Sequence, residues 1–120
     1  MGIGSEDGAT AIEFALLLPL LVMVLVGTFQ FGLAYNNYLA ITHAAREGAR
    51  MAAVGAYDEA AVRSSAYPVN PTSVSLSYPR GSEHGDPAEV TVRADFDLSI
   101  PFFSQMRIPL RSTASMRIER

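Results

Sequence analysis

From Phe14 to Ala45 no side chain carries a full charge, His43 aside, and the stretch Ala15 to Phe29, ALLLPLLVMVLVGTF, has no ionisable group. About 20 apolar residues in a helix are needed to cross ~30 Å of hydrocarbon. Ile12 to Tyr35 supplies them, with Tyr35 and Tyr38 placed where aromatic rings favour the headgroup zone. A helix buried in a water-soluble core is the alternative. It would need a surrounding shell, and a chain of 120 residues, 49% of them apolar, leaves too little sequence to enclose it on all sides. A cleaved secretory signal fits no better, since its apolar region is shorter and opens on basic residues. Here MGIGSEDG, with Glu6 and Asp7, precedes the run, and the helical pattern continues past it. The segment therefore predicts a membrane helix. Pro19 lacks an amide hydrogen and clashes with the carbonyl four residues earlier, which predicts a kink or local loosening near Ala15.

The helical pattern continues beyond Tyr35 as NNYLAITHAAREGARMAAVG, free of Pro and ending on Gly55, a residue suited to a left-handed cap. Ala40, Ala44, Gly48 and Ala52 recur at four-residue spacing beside Ala45, Ala49 and Ala53. Such a stripe of small residues lets another backbone approach closely. Asn36, His43, Glu47 and Arg50 fall on the opposite side, and Glu47 with Arg50 has the i, i+3 spacing of an exposed ion pair.

Asp58 and Glu59 then open a short helix through Ala66, their charge suiting a helix N-terminus, and two prolines between Tyr67 and Pro71 break it. From there the period changes to two. Val74, Leu76 and Tyr78 alternate with polar residues, as do Val90, Val92, Ala94, Phe96 and Leu98, and then Leu110, Ser112, Ala114, Met116 and Ile118. Three successive strands predict an antiparallel meander. The connection Pro79 to Pro87 carries turn chemistry. The connection Pro101 to Pro109 is oddly apolar, and Phe102 and Phe103 either pack under the sheet or form a contact patch for a neighbouring subunit or a membrane surface. One apolar sheet face is too small to be stable alone, so it is expected to lie on the small-residue stripe of the long helix. The fold class is α+β, a long N-terminal membrane-spanning helix continuing into a small three-stranded antiparallel sheet.

Several function classes are excluded by residue content. A net charge of -3, with nine scattered basic residues, gives no nucleic-acid surface. Without Cys there are no disulfides or thiolate metal sites, and His43 and His84 lack partners at metal-ligand spacing. Ser82, His84 and Asp86 are the residue types of a hydrolase, but alternate residues within one Gly/Pro turn do not converge as nucleophile, base and orienting acid. No catalytic residue, metal, cofactor or small-molecule substrate is therefore expected.

Glu13 stands at the start of the apolar run, where a carboxylate needs a reason. One is local: Thr10 and Glu13 have the spacing of a capping box at a helix start. The other lies in GATAIEF, Gly8 to Phe14, a Gly, four residues, then Glu and an aromatic, which resembles the prepilin-peptidase site of type IV-like pilins. Together with AAREGARMAA, Ala44 to Ala53, and the β-rich tail, the chain resembles the TadE-like family, minor pilins or pseudopilins of tight-adherence pilus systems.

The resemblance implies a pilin-like architecture and cleavage between Gly8 and Ala9, with Gly8, Ala9, Glu13 and Phe14 as the processing site. Glu13 would then offset the new terminal amine of a neighbouring subunit's Ala9, whose pKa is about 7.7 to 8.0. On this reading residues 1–8 are a leader, 9–35 cross the membrane, 36–55 continue the helix outside it, and 56–120 form a short helix and the sheet. Ala40, Ala44, Gly48 and Ala52 serve helix or subunit packing. The implied partners are a major pilin, a second minor pilin, inner-membrane platform proteins and the prepilin peptidase, besides the lipid bilayer. A permanently anchored scaffold of the same apparatus is the rival reading. Orientation is read two ways: Arg46 and Arg50 after the helix, with no basic residue before it, point the sheet to the cytoplasm, whereas the family topology puts it on the periplasmic or extracellular side.

Overall fold

The computed structural model describes residues 5–99 and 105–119. The apolar run belongs to one helix, α1 (Ser5–Ala53), which continues unbroken through Pro19. Its 49 residues span about 74 Å at 1.5 Å per residue and set the shape of the molecule, 85 × 22 × 21 Å. Thr10 is not a cap. It lies a turn inside α1, where its hydroxyl donates to the Glu6 carbonyl at 2.8 Å, so the expected Thr10–Glu13 capping box is replaced by an ordinary helix-interior bond. At the other end the Gly55 amide donates to the Ala52 carbonyl and the Ala56 amide to Met51, with Gly55 at φ 76°. These two bonds form a Schellman motif, which satisfies carbonyls that the last turn would leave open and requires the left-handed residue that glycine supplies.

A second helix, α2 (Glu59–Ser65), starts at Asp58, whose carboxylate accepts the Ala60 amide at 3.0 Å. The strands β1 (Ser73–Ser77), β2 (Pro87–Leu98) and β3 (Met106–Arg117) form one antiparallel sheet in that order. β2 alternates as the sequence predicts, with Ala88, Val90, Val92, Ala94 and Phe96 turned inward. β3 begins four residues earlier than its alternation indicates and runs through Pro109, which pairs with Asp95. β3 is an edge strand, where a residue without an amide hydrogen can be accommodated.

The sheet lies on the second half of α1. Ile41, Ala44, Ala45 and Ala49 pack with Val62 and Ala66 of the α2 region and with Val90, Val92 and Ala94 of β2. Ile41, Val62, Val90, Val92 and Ile118 are fully buried, each contributing about 1.5–3 kcal/mol of hydrophobic stabilisation. The buried Ser112 hydroxyl is satisfied by Thr42, which donates to it at 2.9 Å. Two further bonds tie the ends of the sheet region to the helix. The Glu119 amide donates to the Ala53 carbonyl at 2.9 Å, and 23 residues earlier along α1 the Gln30 amide donates to the Ser99 carbonyl at 3.1 Å.

Candidate functional site

The first half of α1 presents its side chains outward all round. Ile12, Phe14, Leu16, Leu20, Leu25 and Phe29 are each more than half exposed, and the most apolar window of the helix is wholly unburied. An uncovered apolar cylinder of this length is stable only where its surroundings are equally apolar. By length and composition α1 can cross a membrane.

The predicted processing residues sit at the start of that cylinder. Gly8, Ala9, Glu13 and Phe14 all belong to α1 and are exposed, and the space beside Gly8 is open. The Gly8–Ala9 peptide is therefore helical rather than extended. Glu13 and Phe14 are one residue apart on a helix and point to different sides.

The small-residue stripe has an intramolecular occupant. Ala44, Gly48 and Ala52 are buried, and Ala40 is half-buried. A β-carbon built on Gly48 would come 2.9 Å from Val90 Cγ1 and 3.0 Å from Val62 Cγ2, so α1 is wedged against both β2 and α2 at this point. Ala52 joins Ala88 and Ile118 in a second cluster, capped by Tyr57, Leu76 and Tyr78.

Polar groups around the domain make local bonds. Arg50 donates to Glu47 at 2.8 Å; this hydrogen bond holds the Glu47 carboxyl below its ordinary range against an opposing desolvation, with smaller help from the Arg50 charge and from His43. Arg63 bridges Glu59 and the Pro71 carbonyl. Burial pushes the Tyr57 phenol up, with Glu59 adding to the effect and Arg63 opposing it. In the Pro79 to Pro87 turn the Asp86 carboxylate accepts the Glu83 amide at 3.2 Å, while Ser82 and His84 are exposed. Among the described residues no three His, Asp or Glu side chains come together in a metal-binding group. Phe102 and Phe103, the predicted contact patch, lie outside the described residues.

Gln30 was not foreseen. Among the described residues it is the one side chain of the apolar half that bonds the end of β2, at Ser99, and the signal available in sequence was only an amide set between Phe29 and Phe31. An amide at that depth needs a partner, because leaving it unpaired in an apolar medium costs several kcal/mol.

Residues 8–50 match the family described as TadE-like protein. That stretch lies entirely within α1, from the predicted cleavage position to Arg50, and excludes the sheet. No curated protein and no solved structure matches the chain. From Gly8 to Arg50, the part that contains the apolar run, Glu13 and most of the packed stripe, the chain is similar to the TadE-like protein family.

Proposed function

We propose that the chain is a structural membrane subunit, a minor pilin or pseudopilin that takes part in assembling a tight-adherence pilus, and that it is not an enzyme. The observation that carries this reading is the TadE-like match over a helix whose first half is uncovered and apolar and whose second half bears a small sheet. Assembly is the mechanism. A subunit leaving the bilayer exchanges lipid for neighbours that are equally apolar, which a helix with no charged side chain between Phe14 and His43 allows at little cost. Glu13, at the edge of that helix, would give the exchange a fixed axial register by pairing with a neighbour's terminal amine. The work of extraction would come from a separate ATPase, since no phosphate-binding Gly-rich loop occurs here. The partners are the major pilin, a second minor pilin, the inner-membrane platform proteins and the prepilin peptidase, and the sheet faces the periplasm or the exterior.

A permanently anchored scaffold is the second reading. It is favoured by the helical Gly8–Ala9 peptide, across which the Thr10 hydroxyl bonds the Glu6 carbonyl, because a scissile bond must be unwound before a peptidase can cut it. Intact mass of the protein from membranes and from sheared surface filaments separates the two. A mass beginning at Ala9 in the filament fraction supports the pilin; a full-length mass confined to membranes supports the scaffold. Orientation is tested by a cysteine in the Pro79 to Pro87 turn and an impermeant reagent, and protection in cells with a permeable outer envelope would reverse the assigned side.

A further inference from the structure

We propose that the end of the β2–β3 ribbon, carried by Leu98, Ser99 and Met106, is a lipid-contacting foot that seats the domain on the bilayer surface. The inference rests on the reading of α1 as a membrane helix and adds a second membrane contact to it.

Depth follows from α1. Counted from Ile12 or Phe14, the ~20 residues needed to cross the hydrocarbon end near Phe31 or Leu33, which puts Gln30 within one turn of the hydrocarbon edge. Helical side chains lean toward the N-terminus, so the Gln30 amide reaches slightly deeper than its own Cα. The Ser99 carbonyl accepts from that amide at 3.1 Å and therefore lies at the same level. The end of β2 is held at the membrane boundary, not above it.

The ribbon's composition changes at this height. Its last described rung pairs Leu98, half-buried, with Met106, which is 58% exposed although apolar. The next rung pairs Asp97 with Arg107 in an exposed ion pair at 3.2 Å. An apolar rung one residue beyond Ser99 and opposite charges two residues, about 7 Å, beyond it match the passage from acyl chain to headgroup and water. The Pro79 to Pro87 turn, at the other end of a 12-residue strand, lies about 40 Å away and is predicted to stay in water.

The sequence contains neither Trp nor Cys, so single reporters need no background replacement. Full-length M106W, L21W and H84W are reconstituted at high lipid excess into phosphatidylcholine vesicles whose acyl chains are brominated either near the glycerol or near the methyl end. The foot predicts that M106W loses most emission with the shallow bromines, L21W with the deep ones, and H84W with neither. An L21W variant untouched by either lipid would overturn the membrane helix itself. L21W quenched while M106W responds only to aqueous acrylamide would leave the helix standing and sink the foot. M106W shielded from both quenchers, with shielding lost on dilution into more lipid, would assign the surface to a second copy and also overturn the proposal. Should M106W fail to fold, M106C carrying a nitroxide gives the same test: oxygen must relax it more than a water-soluble nickel chelate does.

Discussion

Replacing Gly48 by alanine sets two physical effects against each other at one atom. In an isolated helix the change stabilises by about 0.8–1 kcal/mol, because alanine loses less backbone entropy than glycine on ordering. Here the new β-carbon would stand 2.9 Å from Val90 Cγ1 and 3.0 Å from Val62 Cγ2, on opposite partners, so moving away from one presses on the other. Both partners are valines, with few χ1 alternatives, and both are fully buried. Overpacking of this kind costs about 1–3 kcal/mol, so G48A is expected to destabilise the domain by roughly 1 kcal/mol net. For a domain of this size that lowers the midpoint of thermal unfolding by about 4–8 °C. Circular dichroism of the full chain in micelles, read in the sheet region, reports it. V90A removes one of the crowding methyls, so G48A and V90A should couple favourably, by about 0.5–2 kcal/mol in a double-mutant cycle. A G48A protein as stable as the parent, with no coupling to V90A, would refute the wedge.

Q30L removes the donor to the Ser99 carbonyl and leaves that oxygen unpaired, at about 1–3 kcal/mol of local stability; amide exchange should quicken around Asp95 to Leu98 and stay slow at Ala88 and Ile118, and uniform quickening would contradict a local tie. D58A removes the cap of α2 and should cost about 0.5–2 kcal/mol, with D58N largely restoring it, both read by thermal unfolding. Tyr57 has a raised pKa in the folded state, so its contribution is complete below the ordinary tyrosine value of about 10 and is lost as pH rises through the folded value. Y57F should flatten that alkaline loss of stability, and identical alkaline limbs in both proteins would count against burial as its cause.

The elements carried by strong periodicity are those the sequence shows best. Fifteen uncharged residues from Ala15 to Phe29 leave one physical solution, and the strict alternation of β2 leaves one inward face. Gly55 announces its cap because few residues other than glycine accept φ 76° there. Thr10 and Glu13 mislead because the capping-box spacing also occurs inside a helix, where the threonine hydroxyl can bond a carbonyl one turn back. The start of β3 is hidden by Pro109, a strand breaker in a central position but tolerated on an edge, and edge status is a property of the whole sheet. Gln30 is invisible for the same reason: its partner is 69 residues away, and no local pattern encodes it. Within the small-residue stripe, the alternation of the strands and the small size of their apolar face already place the sheet of the same chain there; the fold adds that the closest approach, at Gly48, is shared between Val90 of β2 and Val62 of α2.

The two outermost ties between helix and sheet region, Glu119 to Ala53 and Ser99 to Gln30, also govern how the molecule bears load. They are about 34 Å apart along α1, against about 40 Å for a strand of 12 residues, so β2 and β3 run close to the helix axis. Antiparallel ladder bonds lie across the strands. A tension applied along the axis of α1 therefore shears the ladder, straining its bonds together, instead of peeling them one after another. A chain with this geometry resists being pulled lengthwise far better than being pried sideways, where the ladder bonds at a sheet edge are loaded one after another.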